Sequence, residues 1–191
     1  MSNHVLLMKG LSIIHNVMIR FFNEKMQIAE YVYPFADKVN PPLRTQILAL
    51  NDPNSKPTNI NAQFTGWHLK GKEVSTLTQW VDNLITNDFN KLRYTLKCTE
   101  VWGVLYKKGD YITKHQHSPS IYSFVYYVNA PKGSSPLKFS TSGHKVKPEA
   151  GKVVIFESRL VHEVPPNKGE DRCIVSGNFI WDKDTGTAGL Y

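Results

Sequence analysis

Cysteine is almost absent from this sequence: only Cys98 and Cys173 occur among 191 residues. Two such thiols are too few for a disulfide framework and wrongly spaced for a zinc knuckle, so a reducing, cytoplasmic setting is expected. Long apolar runs are missing too. No stretch approaches the roughly 20 residues needed to cross a bilayer, and Met1 to Leu11 contains Lys9 and no small-residue cleavage site, so neither a membrane span nor an export signal is expected. Blocks of one charge sign are also lacking. The formal charge of +7 comes from scattered lysines, among them Lys70, Lys72, Lys107, Lys108, Lys145 and Lys147. That is a solvated surface, which leaves nucleic acid open as a partner without recommending it. No linker or internal repeat divides the chain.

What is present is the composition of an ordinary globular protein, 41% hydrophobic and 20% charged, with a packed core. This length suits one domain. The expectation is a single domain over 1–191: helical or irregular support and first strands in 1–97, a β core in 98–181 and a tail in 182–191. Upstream lie an apolar run at Leu11 to Phe22, a helical reading of Glu24 to Val39, and Pro41-Pro42, which should stop any helix. Asn51 to Asn61 reads as a polar, proline-bearing loop. From Ser75 to Leu92, the residues Leu77, Trp80, Val81, Leu84, Ile85 and Phe89 recur at three- and four-residue steps, predicting a helix with Ser75 as its cap. The core has first claim on that apolar face, and monomer and homodimer both stay open.

After Cys98 the pattern changes to short runs rich in β-branched and aromatic residues: Thr99 to Tyr106, Ile121 to Asn129, Leu137 to Ser140, Lys152 to Glu157 and Arg172 to Trp181. Turn formers separate them at Lys108-Gly109-Asp110, Pro131-Lys132-Gly133 and Asn167-Lys168-Gly169. The fold class is mainly β with flanking helices, a sandwich or barrel.

Among these strands lie His115 and His117 in KHQHSPS, and His162 in GKVVIFESRLVHEVPP. If Lys114 to His117 is extended, His115 and His117 share a face and offer two imidazole nitrogens to one ion. His162, where a strand should end, supplies a third donor. Three protein ligands leave positions open for substrate and oxygen, as non-haem iron(II) chemistry requires. A solvated histidine pair is the competing account. Arg172, ten residues beyond His162, could bind a carboxylate bidentately, or form a surface ion pair. His4, His15, His68 and His144 have no partner at ligand spacing.

The segments YKKGDYITKHQHSPSIYSFVYYVNAP, PEAGKVVIFESRLVHEVPP and DRCIVSGNFIW, with the weaker FTGWH upstream, resemble the iron(II)- and 2-oxoglutarate-dependent oxygenases, specifically the small hydroxylases related to prolyl 4-hydroxylases. The resemblance spans roughly residues 64 to 181. It implies a double-stranded β-helix (jelly roll, cupin-like) and C–H hydroxylation using Fe(II), O2 and 2-oxoglutarate, with succinate and CO2 as co-products. His115, His117 and His162 take the ligand places. Arg172 takes the place of the arginine that holds the distal carboxylate of 2-oxoglutarate. Tyr127 and Tyr106 fall where related tyrosines contact the co-substrate, Tyr127 on the better-aligned strand.

One departure stands out: most of the superfamily has a carboxylate where this chain has His117. A three-histidine site carries one less negative charge. In a variant of this reading, His117 lies behind the ligands and Glu157 or Glu163 stands nearer the metal. Two rivals also fit: a three-histidine dioxygenase that does not use 2-oxoglutarate, and a non-catalytic metal-binding jelly roll. The family suggests a peptidyl substrate, prolyl first, with a small molecule second. Phe64 and Trp67 would line its pocket or simply pack in the core.

Overall fold

A computed structural model describes residues 26–50, 57, 59–89 and 95–182. Leu11 to Phe22, His4, His15, most of the Asn51–Asn61 loop and nearly all of the tail lie outside these residues. The upstream elements are β1 (Ile28–Val32), α1 (Ala36–Leu50), β2 (Ile60–Asn61), β3 (Gln63–Phe64) and α2 (Lys72–Leu84), the last continuing into a π-helical turn, Ile85–Phe89. Eight more strands follow: β4 (Leu96–Tyr106), β5 (Tyr111–His115), β6 (Tyr122–Asn129), β7 (Leu137–Phe139), β8 (Lys145–Val146), β9 (Lys152–Glu157), β10 (His162–Val164) and β11 (Arg172–Trp181). They form a six-stranded sheet in the order β1-β9-β6-β11-β4-β3 and a five-stranded sheet in the order β2-β5-β10-β7-β8. This is the double-stranded β-helix.

The larger sheet is buried on both faces. Its outward set, including Leu105, Phe124, Tyr126, Val153, Cys173, Val175 and Phe179, packs on Leu43 and Ile47 of α1 and Val74, Leu77 and Val81 of α2. Its inward set, including Trp102, Val104, Tyr106, Val125, Tyr127, Val154, Phe156 and Ile174, meets Ile112, Leu137, Phe139 and Val164 of the smaller sheet. Double coverage explains why β9 and β11 read as nearly continuous apolar runs. The predicted helical face is spent on this core.

Three upstream expectations are corrected. Residues 28–32, read as helical, form the edge strand β1, paired with β9 from Ile28↔Phe156 to Val32↔Lys152. There Ala29 and Tyr31 pack toward the helices and Ile28 toward the sandwich interior, so a period of two wins over a helical pattern. Pro41 and Pro42 lie inside α1. They remove amide donors to the carbonyls of Asp37 and Lys38, whose residues are exposed, while Val39, Leu43 and Ile47 are buried. Water can serve those carbonyls, and burial offsets the remaining cost. Finally, α2 is capped by Gly71 (φ 140) with no side-chain cap, and the Ser75 amide donates to the Gly71 carbonyl at 2.9 Å. Ser75 is therefore inside the first turn. No helix among the described residues is long and apolar enough to cross a membrane.

Close approach at Gly177 gives a test of this packing. A Cβ there would stand 2.6 Å from Phe124 Cε1 and 2.7 Å from the Glu100 carbonyl oxygen. Gly177→Ala is expected to lower unfolding free energy by about 1–3 kcal/mol, measured by denaturant titration. An unchanged midpoint would contradict the packing described.

Candidate metal centre and co-substrate pocket

Strands β5 and β10 pair antiparallel with His115 opposite His162, which sets the two imidazoles side by side with ring centres 4.3 Å apart. His162 begins β10 instead of following a strand end. His117 lies just beyond β5, so it is not held by the expected extended run. Its amide donates to the Ser158 carbonyl and the Ser120 amide donates to the His117 carbonyl, at 2.8 and 2.9 Å. This loop turns the His117 ring to 4.8 Å from His115 and 5.1 Å from His162. One nitrogen from each of the three lies within 4.8 Å of the others.

The tautomers suit metal binding. Nδ1 of His115 meets the Thr113 carbonyl and Nδ1 of His162 meets the Leu160 carbonyl, both at 2.8 Å. A carbonyl can only accept, so each Nδ1 carries the proton and each Nε2 keeps its lone pair. Burial pushes the pKa of His117 and of His162 down to about 3, with neighbouring histidines adding to the effect. Burial likewise lowers that of His115. All three rings are neutral donors. Phe156 and Phe139 wall His162, and Trp102 stands beside His117.

Arg172 opens β11 opposite Tyr106 of β4. It is fully buried, not a surface ion-pair residue, and none of its guanidinium nitrogens has a hydrogen-bond partner among the described residues. Its guanidinium carbon sits 4.2 Å from the Tyr106 ring centre and 5.3 Å from that of Tyr127. Both phenol hydroxyls are likewise buried and unpaired. Burial raises both phenol pKa values, partly opposed by the Arg172 charge, so both remain donors. Arg172, Tyr106 and the three histidines line one cavity between the sheets. An unpaired buried cation with two idle hydroxyls fits an anionic ligand rich in oxygen acceptors, and three neutral imidazoles fit a borderline divalent metal.

The other candidates fall elsewhere. Glu157 accepts from Arg159 Nε at 2.6 Å, and Glu163 from Lys138 Nζ at 2.8 Å. Neither carboxylate joins the histidines, which form the one such ligand group among the described residues. Phe64 is core, whereas Trp67 is 41% exposed and borders the cavity. His68 is exposed, and His144 Nε2 lies 3.6 Å from Glu30. Sequence reasoning missed Ser123, Ser158 and Asn178, three buried polar residues beside the site. The signal was a polar residue inside an apolar run, as in VSGNFIW.

The sequence model of the 2OG-Fe(II) oxygenase superfamily matches residues 101–180, the stretch that holds the three histidines, Arg172 and both tyrosines. No curated protein matches the chain. Among solved structures, a prolyl-4-hydroxylase from Pseudomonas putida is 22% identical with a TM-score of 0.68, over 82% of this chain and 94% of that one. The viral collagen prolyl hydroxylase of Paramecium bursaria Chlorella virus-1, in its 2-oxoglutarate complex, is 16% identical with a TM-score of 0.65, over 80% and 94%. A Trichoplax adhaerens prolyl hydroxylase, in complex with a peptide fragment of the hypoxia inducible factor oxygen degradation domain, is 18% identical with a TM-score of 0.63, over 80% and 83%. These likenesses carry the fold, and the superfamily match falls on the strands that bear the site. Over residues 101–180 the chain is thus similar to the 2OG-Fe(II) oxygenase superfamily, on the fold that its prolyl hydroxylase neighbours share.

Proposed function

We propose that the chain is a single oxygenase domain in which His115, His117 and His162 hold Fe(II), and Arg172, Tyr106 and Tyr127 bind 2-oxoglutarate. The overall reaction converts R–H, O2 and 2-oxoglutarate to R–OH, succinate and CO2. The observation that carries the reading is Arg172: a buried cation with no hydrogen-bond partner among the described residues, in the same cavity as three imidazoles. A dicarboxylate answers that need at one end and reaches a metal at the other.

The bound metal supplies activation of O2, which amino-acid side chains cannot. Everything else falls to the chain. Arg172 grips the far carboxylate in a bidentate fork and fixes the co-substrate's reach. The Tyr106 and Tyr127 hydroxyls donate to its oxygens. Phe139, Phe156 and Trp102 keep the centre dry. Carbonyls of Thr113 and Leu160 hold the His115 and His162 rings in the donor tautomer.

A peptidyl side chain, prolyl first, is the leading substrate class, supported by the prolyl hydroxylases among similar structures. A small molecule is second. Free Cys98 and Cys173 support a cytoplasmic setting. The all-histidine ligand set favours one rival, a dioxygenase that binds its substrate directly to iron. The first experiment separates the two.

Anaerobic titration of the metal-free protein with Fe(II), then 2-oxoglutarate, is expected to give the visible charge-transfer band of a chelated keto acid. Arg172→Ala and His117→Ala should each lose it. Bound iron with no band would discard the 2-oxoglutarate reading. Independently, Arg172→Met should raise the unfolding free energy of the ligand-free protein by about 1–4 kcal/mol, because a buried charge held only against two aromatic rings is replaced by an apolar chain. Calorimetric melting checks this, and a lower melting temperature would mean that Arg172 is paired in the free protein.

A further inference from the structure

Next to the metal cavity lies a more open groove of about 380 Å³, lined by Trp67, Thr99, Glu100, Gln116, Ser118 and Asn178 among others. His117 borders both spaces, so the groove gives onto the proposed metal centre. In a protein of net charge +7, its wall carries one acid, Glu100, and one exposed indole, Trp67.

The acid is held in place by buried groups. Asn178 Nδ2 donates to Glu100 Oε2 at 2.9 Å, and Asn178 Oδ1 accepts from Ser123 Oγ at 2.8 Å. Ser123 has thereby spent its one proton, so the 2.7 Å contact between the two serine hydroxyls must have Ser158 as donor. The chain runs one way, Ser158 to Ser123 to Asn178, and ends by presenting an amide N–H to the carboxylate. Ser158, Ser123 and Asn178 are 0%, 1% and 3% exposed. Burying that much polarity is costly unless every group is used, and the use here is to fix Glu100. No ion pair neutralises Glu100 among the described residues.

The indole is fixed as well. Trp67 packs edge-on against Phe64 and Trp102, at 4.9 and 5.1 Å between ring centres. Its carbonyl accepts from the Val101 amide at 3.0 Å, which ties it beside Glu100 on β4. An aromatic face and a held carboxylate in one groove form a receptor for an organic cation.

Resting on the function proposed above, we infer that the prime substrate carries an ammonium or guanidinium group, seated between Trp67 and Glu100 while the C–H bond to be hydroxylated faces the metal. Glu100 and Trp67 are then specificity determinants. A lysyl or arginyl side chain of a peptide and a free amine share this chemistry, and the test separates them.

The test is calorimetric binding to the full chain, both metal-free and loaded anaerobically with Fe(II) and 2-oxoglutarate. The probes are a short peptide containing proline and lysine, its Nε-acetyl-lysine and glutamate counterparts, and free lysine. The lysine peptide should bind roughly tenfold or more tighter than the acetylated one. Glu100→Gln should erase that preference, Trp67→Leu should weaken it, and Glu100→Asp should retain it, which excludes a folding defect as the cause. Free lysine matching the peptide would assign a small amine as substrate, and a much tighter peptide would assign a peptidyl one. Equal affinity for lysine and acetyl-lysine peptides, a preference that survives Glu100→Gln, or no binding of any probe would overturn the inference. Loss of the charge-transfer band with the cation preference intact on metal-free protein would instead overturn the 2-oxoglutarate reading and leave the cation groove standing.

Discussion

The six-stranded sheet is covered on both sides, and this constraint governs what its strands can carry. Along β11, Cys173, Val175 and Phe179 face the helices, while Ile174 faces the sandwich interior. Apolar side chains at all these positions stabilise the sheet, at roughly 25 cal/mol per Å² of area removed from water. Each polar residue on the inward face therefore weakens the fold unless something compensates it. The buried inward polar residues of this sheet are Arg172, Ser176 and Asn178 on β11 and Ser123 on β6, and they line the cavity. Gly177 and Gly103 are small because the sheet is covered, with Phe124 and Ile47 closing over them.

The same constraint accounts for the site's electrostatics. The smaller sheet brings His115 and His162 together by strand register, and the loop after β5 adds His117, so two of the three candidate donors come from paired strands. Their rings are neutral because burial disfavours the protonated form. Arg172 cannot give up its charge in this way, since a guanidinium stays protonated. One permanent cation and three neutral donors make a cavity with an excess of positive character even before a metal is added. A dianionic co-substrate suits that field better than a neutral one.

Much of this was legible in the sequence. Lys152–Glu157 and Arg172–Trp181 were readable to the residue because doubly covered strands leave continuous apolar runs between turn formers. His115, His162 and Arg172 stood out because they fall at strand ends, in an order shared with a known family. Other features rest on contacts that no local window contains. The helix through Pro41 and Pro42 depends on Leu43 and Ile47 meeting the large sheet, and local propensity argues against it. The left-handed backbone at Gly71, which caps α2, is disguised by a serine that looks like a better cap. The bonds Asn178 to Glu100 and Ser123 to Asn178 bridge 78 and 55 residues, and only β11 lying between β4 and β6 makes them neighbours.

Ser158 connects the two ends of the site. Its carbonyl accepts from the His117 amide, and its hydroxyl begins the chain that ends on Glu100. A group bound at Glu100 therefore acts on the same short segment that orients His117. The three middle links, Ser158, Ser123 and Asn178, are buried and hydrogen-bonded in series, which fixes their geometry between the groove and the loop. His117 stands where the superfamily usually has a carboxylate, and the negative charge missing from the ligand set is supplied to the adjoining groove by Glu100. A cation seated there would neutralise that carboxylate, so its binding would remove the negative charge from the groove beside the proposed metal centre. Hydrogen bonds from Ser158 through Ser123 and Asn178 to Glu100 thus join the proposed cation groove to the loop that carries His117.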